Sequence, residues 1–361
     1  MDQTKKIFKK IALFLPILGL MVAVNAIVDP AHLYLKSKSY EEGIARILAS
    51  GHNVANVHNF DHRLVQKYRI AKEKGLPDMI VLGSSRSMQI GTNIFPDKLV
   101  VNNSVPGGSL ADYLGILFNY EQKGGIPKTI VFCVDPWVLN PNNVGNDWVS
   151  IKEDTYAMLD KLGFPSRKIF KAPLISPKMT NLFSFSYFQT AIQTVFKEGF
   201  EGDSYFATDK EIADDYDIEL KDGRRSYSKS FRSRSEKEIE KTAMDNFTSI
   251  NKEFYDFQKP DHGMSNILKK LISYLQSKNV TVVFYLAPYH PVVYNTLLSP
   301  AKQKVLIEIE NNYRDFAKRH DLKILGSYDP SKVGLGGLDF YDDFHASKEA
   351  VEKIFKQGID L

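Results

Sequence analysis

The chain has 361 residues, of which 43% are hydrophobic and 25% charged, and its formal net charge is +4. This composition excludes a disordered chain and provides for one large domain or two small ones with an ample core. So small and scattered a charge gives no nucleic-acid footprint. Cys133 is the sole cysteine and lies inside the apolar run Ile130–Val134, so it reads as a packing residue, with no disulfide framework.

In chain order, Lys5, Lys6, Lys9 and Lys10 precede Ile11–Val28, where no residue is charged and Asn25 alone is polar. About 18 apolar residues just cross a bilayer, and the lysines hold the start of the span in the cytoplasm. The expectation for residues 1–28 is a basic flank and a single-pass anchor, with the C-terminal body extracytoplasmic. The small residues of Val24-Asn25-Ala26 leave signal cleavage and secretion as the alternative. A buried core helix is the third reading, but it should carry a polar face.

Asp29-Pro30 ends this segment, and 29–76 reads as a connecting region holding one helix, His62–Lys74, stopped by Gly75 and Pro77. From 77 to 361 buried strands alternate with helices. The predicted strands are Met79–Leu82, Leu99–Val101, Thr129–Val134, Val280–Leu286 and Lys323–Leu325. The predicted helices are Leu110–Gln122, with Ser109 as N-cap, then Met264–Ser277, Ala301–His320 and Lys348–Lys356. Continuous apolar strands between helices imply an α/β fold with a mostly parallel sheet covered on both faces. The stretch from about 140 to 259 is polar, rich in Tyr and Phe, and without clear periodicity. It reads as a large insertion, or lobe, over the site.

In open parallel sheets ligands bind beyond the carboxyl ends of the strands. Every polar constellation of this chain falls there. The first strand leads into Gly83-Ser84-Ser85-Arg86, and the second into Asn102-Asn103-Ser104-Val105-Pro106-Gly107-Gly108. Asp135-Pro136-Trp137 follows the third, Pro288-Tyr289-His290-Pro291 the fourth, and the loop with Asp342 and His345 the fifth.

A serine hydroxyl is a poor nucleophile until an imidazole takes its proton and a carboxylate orients the imidazole. Ser85, His345 and Asp342 can supply those parts. Each has a plainer reading: Gly-Ser-Ser often caps a following helix, Asp-x-x-His can be a polar loop, and Asp343 rivals Asp342. Arg86 is a candidate anion contact and His290 a candidate substrate contact. Asp135 and Trp137 either line the pocket or, for Trp137, only pack. Asn103 is a further candidate substrate contact, though it and Gly108 can also simply shape their turn.

His52, His58, Asp61 and His62 invite a metal reading, but solvated polar residues are the expectation, since zinc needs three or four converging ligands. Arg224, Arg225, Arg232 and Arg234 read as a solvated loop, with an anionic polymer or lipid headgroup as the alternative.

Gly83-Ser84-Ser85 resembles the Gly-Asp-Ser block of the SGNH/GDSL hydrolase superfamily, with Ser84 in the Asp position. Asn102-x-Ser104-x-x-Gly107 is similar to that family's second block, and Asp342-x-x-His345 to its last. The resemblance covers about Pro77 to the C-terminus without the insertion. It implies a three-layer α/β/α domain with a flavodoxin-like sheet. It further implies Ser85 as nucleophile, His345 as base, Asp342 as orienter, and the Ser85 and Gly107 amides as oxyanion donors. The third block, Gly-x-Asn-Asp, is absent. Asp135-Pro136-Trp137 stands in its place, so the usual Asn donor is missing unless this segment replaces it.

With the N-terminal anchor, the pattern looks like the divergent branch that includes the D-alanine transfer protein of teichoic acids and the alginate acetylation proteins. That branch implies a substrate among acyl esters of surface polysaccharide and a multi-pass membrane acyltransferase as partner. The expectation is an anchored serine esterase or O-acyltransferase needing no cofactor and no metal. The alternative is a catalytically degenerate glycan-binding or accessory domain, and a third reading is a plain lipase.

Overall fold

The computed structural model describes residues 2–30, 37–140, 145–173, 181–198, 205–246 and 259–358. Its main helices are α1 (Asp2–Val28), α2 (Ser37–Ala49), α3 (His62–Lys72), α4 (Leu110–Lys123), α5 (Lys152–Lys161), α6 (Phe185–Glu198), α7 (Glu236–Asp245), α8 (His262–Ser277), α9 (Pro300–Arg319) and α10 (Lys348–Lys356). The strands are β1 (Asn53–Ala55), β2 (Met79–Leu82), β3 (Val100–Asn102), β4 (Thr129–Cys133), β5 (Phe206–Thr208), β6 (Ile218–Glu219), β7 (Arg225–Ser226), β8 (Thr281–Leu286) and β9 (Lys323–Gly326).

Five strands, in the order β3-β2-β4-β8-β9, form one wholly parallel sheet. Its strands are the five expected from the apolar runs, shifted only at their ends. Because side chains alternate across a strand, each run feeds two cores. Ile80, Leu82, Ile130, Phe132 and Phe284 pack on one face with residues of α4, α8 and α9. Met79, Val81, Val131, Val283 and Tyr285 pack on the other with Val351, Ile354 and Phe355 of α10. Each such side chain buried contributes about 1.5–3 kcal/mol. That explains why these strands carry no polar face.

Local signals set the helix ends. Ser109 and Asp112 close a capping box at the start of α4, and Gly124 ends it in the left-handed region. Asp61 accepts from the amides of Arg63 and Leu64 at the start of α3, and Ser347 caps α10. The buried pair Arg63–Asp112 (Nε to Oδ1, 2.9 Å) ties α3 to α4.

Two expectations are corrected. The connecting region holds more than one helix: α2 and β1 also lie within it. The stretch 140–259 is not one aperiodic lobe. Its first part is core, since Trp148, Ile151, Met158 and Leu159 are buried in the same cluster as α4, and Thr155 donates to the Ala111 carbonyl at 3.0 Å. Its later strands join β1 in a second, antiparallel sheet, β5-β1-β6-β7. Strands of two or three residues show no readable alternation, and their partner lies far earlier in the chain.

Among the described residues no helix is long and apolar enough to cross a membrane, and the side chains of residues 1–11 and 13 lie outside them. At the end of α1, Asn25 is buried and its amide donates to the carbonyls of Asn181, Leu182 and Ser184 at 3.3, 2.9 and 3.2 Å. Tyr187 of α6 donates to Asp29 Oδ1 at 3.1 Å.

Candidate active site

β2 ends in Gly83, where a Cβ would stand 2.1 Å from Ser87 Oγ and 2.5 Å from Cys133 Cβ. Only glycine lets the chain turn this tightly. Ser84 then accepts from the Arg86 amide at 3.2 Å and starts a single 3-10 turn whose first residue is Ser85. Ser87 holds the turn from beneath, donating to the Ser84 carbonyl and bonding Ser104 Oγ, both at 2.9 Å. Asn102 donates to the carbonyls of Ser87 and Ile90 at 2.8 Å. Ser85 is left half-buried at the rim of the sheet.

The last loop brings the partners. Asp342 Oδ1 accepts from the amides of Phe344 and His345, both at 2.8 Å, which folds the loop back on itself. His345 Nδ1 lies 2.7 Å from Asp342 Oδ2, and Nε2 lies 2.8 Å from Ser85 Oγ. A carboxylate only accepts, so the Nδ1 proton points at Asp342 and Nε2 is left to accept from the serine.

Burial alone would raise the Asp342 carboxyl, but the His345 imidazole and the two loop amides outweigh it and hold it below the usual carboxylate range. Asp343 goes the other way: burial, then the charge of Asp342, push its carboxyl up to about 6. The imidazole bonds Asp342, and the rivalry between the two is decided by that contact.

The glycine loop lies against the serine turn. Val105 donates to the Gly83 carbonyl at 3.0 Å, and a Cβ on Gly108 would stand 2.1 Å from that same oxygen. Gly107 is exposed, with φ +61. Neither the Ser85 nor the Gly107 amide donates to another described residue. They are free to receive an oxyanion.

The residues expected to contact substrate, Arg86, Asn103, Asp135, Trp137 and His290, are all buried in this structure. Arg86 is 3% exposed. It pairs with Asp135 at 2.8 Å, donates to the carbonyls of Ala287 and Pro288, and lies 4.1 Å over the Tyr289 ring. Burial pushes the Asp135 carboxyl up, and the guanidinium opposes that push.

Trp137 spends its one N–H on the Gly108 carbonyl at 3.0 Å. It therefore does not replace the missing oxyanion donor; it pins the glycine loop. Asn103 donates to Gln66 at 2.7 Å and accepts from Tyr120 at 2.9 Å. His290 is 1% exposed, and its Nδ1 accepts from the Val292 amide at 3.1 Å.

His52 bonds Asp209 at 3.1 Å and His58 bonds Asn56 at 3.0 Å, while Asp61 caps α3. No group of three His, Cys, Asp or Glu among the described residues could hold a metal. Arg224 and Arg225 pair with Asp222 and Asp217 at 2.6 and 2.9 Å, Arg232 donates to the Tyr227 carbonyl, and Arg234 stacks on Phe231. That loop is built, not solvated.

The loop also carries what the sequence reading missed. Tyr227 and Phe231 stand 6.2 and 6.3 Å from the His345 ring, and Tyr341 closes the group at 5.7 Å from Tyr227. The Met88 carbonyl accepts from Arg225 at 3.2 Å, and Asn102 donates to the Asp222 carbonyl at 2.7 Å, locking this hairpin to the serine turn. The only hint in the sequence was the abundance of Tyr and Phe in the stretch.

The chain matches no protein-family model and no curated protein.

Proposed function

We propose that this protein is a membrane-anchored, extracytoplasmic serine esterase or O-acyltransferase of SGNH type, acting on acyl esters of a cell-surface polysaccharide. The observation that carries the reading is the line from Asp342 through His345 to Ser85, with contacts of 2.7 and 2.8 Å. Counted within the parallel sheet, the strand order is 2-1-3-4-5, that of flavodoxin-like sheets, and Ser85 follows the strand at their switch point. This order supports the three-layer, flavodoxin-like reading of the domain.

In the proposed reaction Ser85 attacks the ester carbonyl while its proton passes to His345 Nε2. Asp342 stabilises the imidazolium, and the Ser85 and Gly107 amides receive the oxyanion. The departing alcohol takes the proton from His345 and leaves an acyl-serine. Water or a glycan hydroxyl then attacks that ester, giving its proton to His345, and Ser85 is released with its own proton restored. No step calls for a metal or cofactor.

A cleft of about 300 Å³ opens beside the aromatic group, bordered by Tyr227, Tyr341, Arg225, Arg232 and Lys348. Aromatic faces among polar side chains suit a sugar ring next to a short acyl group. Phe14, Leu15, Ile17, Leu20 and Ile27 stand exposed along α1, which supports its reading as an anchor in lipid. A multi-pass membrane acyltransferase is the partner proposed to deliver the acyl group.

The absence of a third oxyanion donor at Asp135-Pro136-Trp137 favours the second reading, a glycan-binding domain without turnover. A fluorophosphonate probe separates the two. The wild type is expected to label and to hydrolyse an aryl acetate, and Ser85→Ala to do neither. Failure of the wild type to label, or equal labelling of Ser85→Ala, overturns the enzymatic reading.

A further inference from the structure

A cavity of about 830 Å³ lies against the strand starts at Pro77 and Leu99, and shares Glu211, Leu220 and Arg224 with the cleft beside the aromatic group. Leu48, Leu99 and Leu220 give it an apolar wall, and cations ring it. Lys72 is matched by Glu42 and Arg224 by Asp222. Arg46, Lys74 and Lys221 line the same space and form no salt bridge among the described residues. Glu211 is the one lining acid not matched in this way, so the cavity is positive on balance.

Arg69 is the second observation. It is 2% exposed. Nε donates to Glu73 at 2.6 Å and Nη2 to the Lys221 carbonyl at 2.6 Å. Nη1 is buried with no acceptor among the described residues. Buried N–H groups rarely go without a partner in native proteins, and a guanidinium fork is suited to bidentate binding of phosphate or carboxylate.

We propose that this cavity is a second binding site, adjoining the cleft beside the aromatic group across Leu220 and Arg224, for an organic anion: a phosphate or carboxylate carried on an apolar or ring-shaped body. The anionic group would sit among Arg69, Arg46 and Lys221, and its body against Leu48, Leu99 and Leu220. The neighbouring hairpin runs from Lys221 to Tyr227, so an occupant touches the segment that ends beside His345.

Calorimetric titration of the full chain in detergent micelles tests this with phenyl phosphate, inorganic phosphate and phenol. Phenyl phosphate is expected to saturate the site, inorganic phosphate to bind roughly tenfold more weakly, and phenol not to bind. The exposed double variant Arg46→Ala/Lys221→Ala spares the buried Arg69. It is expected to weaken phenyl phosphate roughly tenfold or more while aryl acetate turnover stays unchanged. Absence of saturable binding by phenyl phosphate, or wild-type affinity in the double variant, overturns the proposal.

Discussion

Asp342 and Asp343 are adjacent in the chain and opposite in proton affinity, because one carboxylate faces the His345 imidazole and the other is buried beside the first. Asp342 is held below the usual range by His345 and two amides, against the effect of burial. Asp343 is pushed by burial up to about 6 from the ordinary 3.8.

The pair predicts two opposite pH dependences of stability. A raised carboxyl favours the folded state most when protonated, so the Asp343 contribution is full below about pH 4 and lost as pH rises through about 6. Its size is at most about 3 kcal/mol at about 1.4 kcal/mol per tenfold. A lowered carboxyl does the reverse, so the Asp342 contribution is lost as pH falls. Wild type is expected to lose stability as pH rises from 4 to 7 in urea unfolding, and Asp343→Asn to lack that downward limb. Asp343→Asn should also keep its activity, whereas Asp342→Asn should lose about 10³-fold or more in kcat.

Gly108→Ala tests how closely the glycine loop sits on the serine turn. Its Cβ would stand 2.1 Å from the Gly83 backbone oxygen, and neither backbone can yield without moving the Ser85 or Gly107 amide. A stability loss of about 1–3 kcal/mol is expected, with kcat for aryl acetate falling more than KM changes. A variant with wild-type kcat would show that the oxyanion amides do not depend on this contact.

Arg86→Ala separates a structural arginine from a substrate-binding one. It strands the carboxylate of Asp135, itself 0% exposed, and should cost about 3–5 kcal/mol. Thermal unfolding reads this directly. A stable Arg86→Ala protein with only a raised KM would return Arg86 to the substrate.

Tyr227→Ala and Phe231→Ala probe the aromatic group beside His345. Removing either ring opens space beside His345, next to the acyl group of the proposed acyl-serine. Both variants should therefore raise the ratio of butanoyl to acetyl ester turnover by roughly tenfold, the discrimination expected of one or two methylenes in an apolar pocket. An unchanged ratio in both would place the acyl chain elsewhere.

Much of this architecture was legible in the residue order. The central strands were readable because the runs Met79–Leu82, 130–133 and 282–286 are apolar on both faces, as burial on both sides requires. Ser85, Asp342 and His345 were readable because a parallel sheet gathers its loops at the carboxyl ends of its strands, whatever the helices between them; Gly107 was singled out only by the family resemblance. Side-chain direction was not readable. Arg86, Asn103, Asp135, Trp137 and His290 also stand at strand ends, yet a rotation about one bond turns each into the packed layers, and only close packing selects that rotamer.

The aromatic group and the second sheet were hidden for a different reason. Residues 53–55 find their partners about 150 positions later, and strands so short carry no pattern that names a distant mate. Sequence alone determined where polar chemistry could collect, through hydrophobic periodicity and the turns that interrupt it. Tertiary structure decided which of those groups meet. Contact between distant segments depends on the summed packing of the whole chain, which no local window contains.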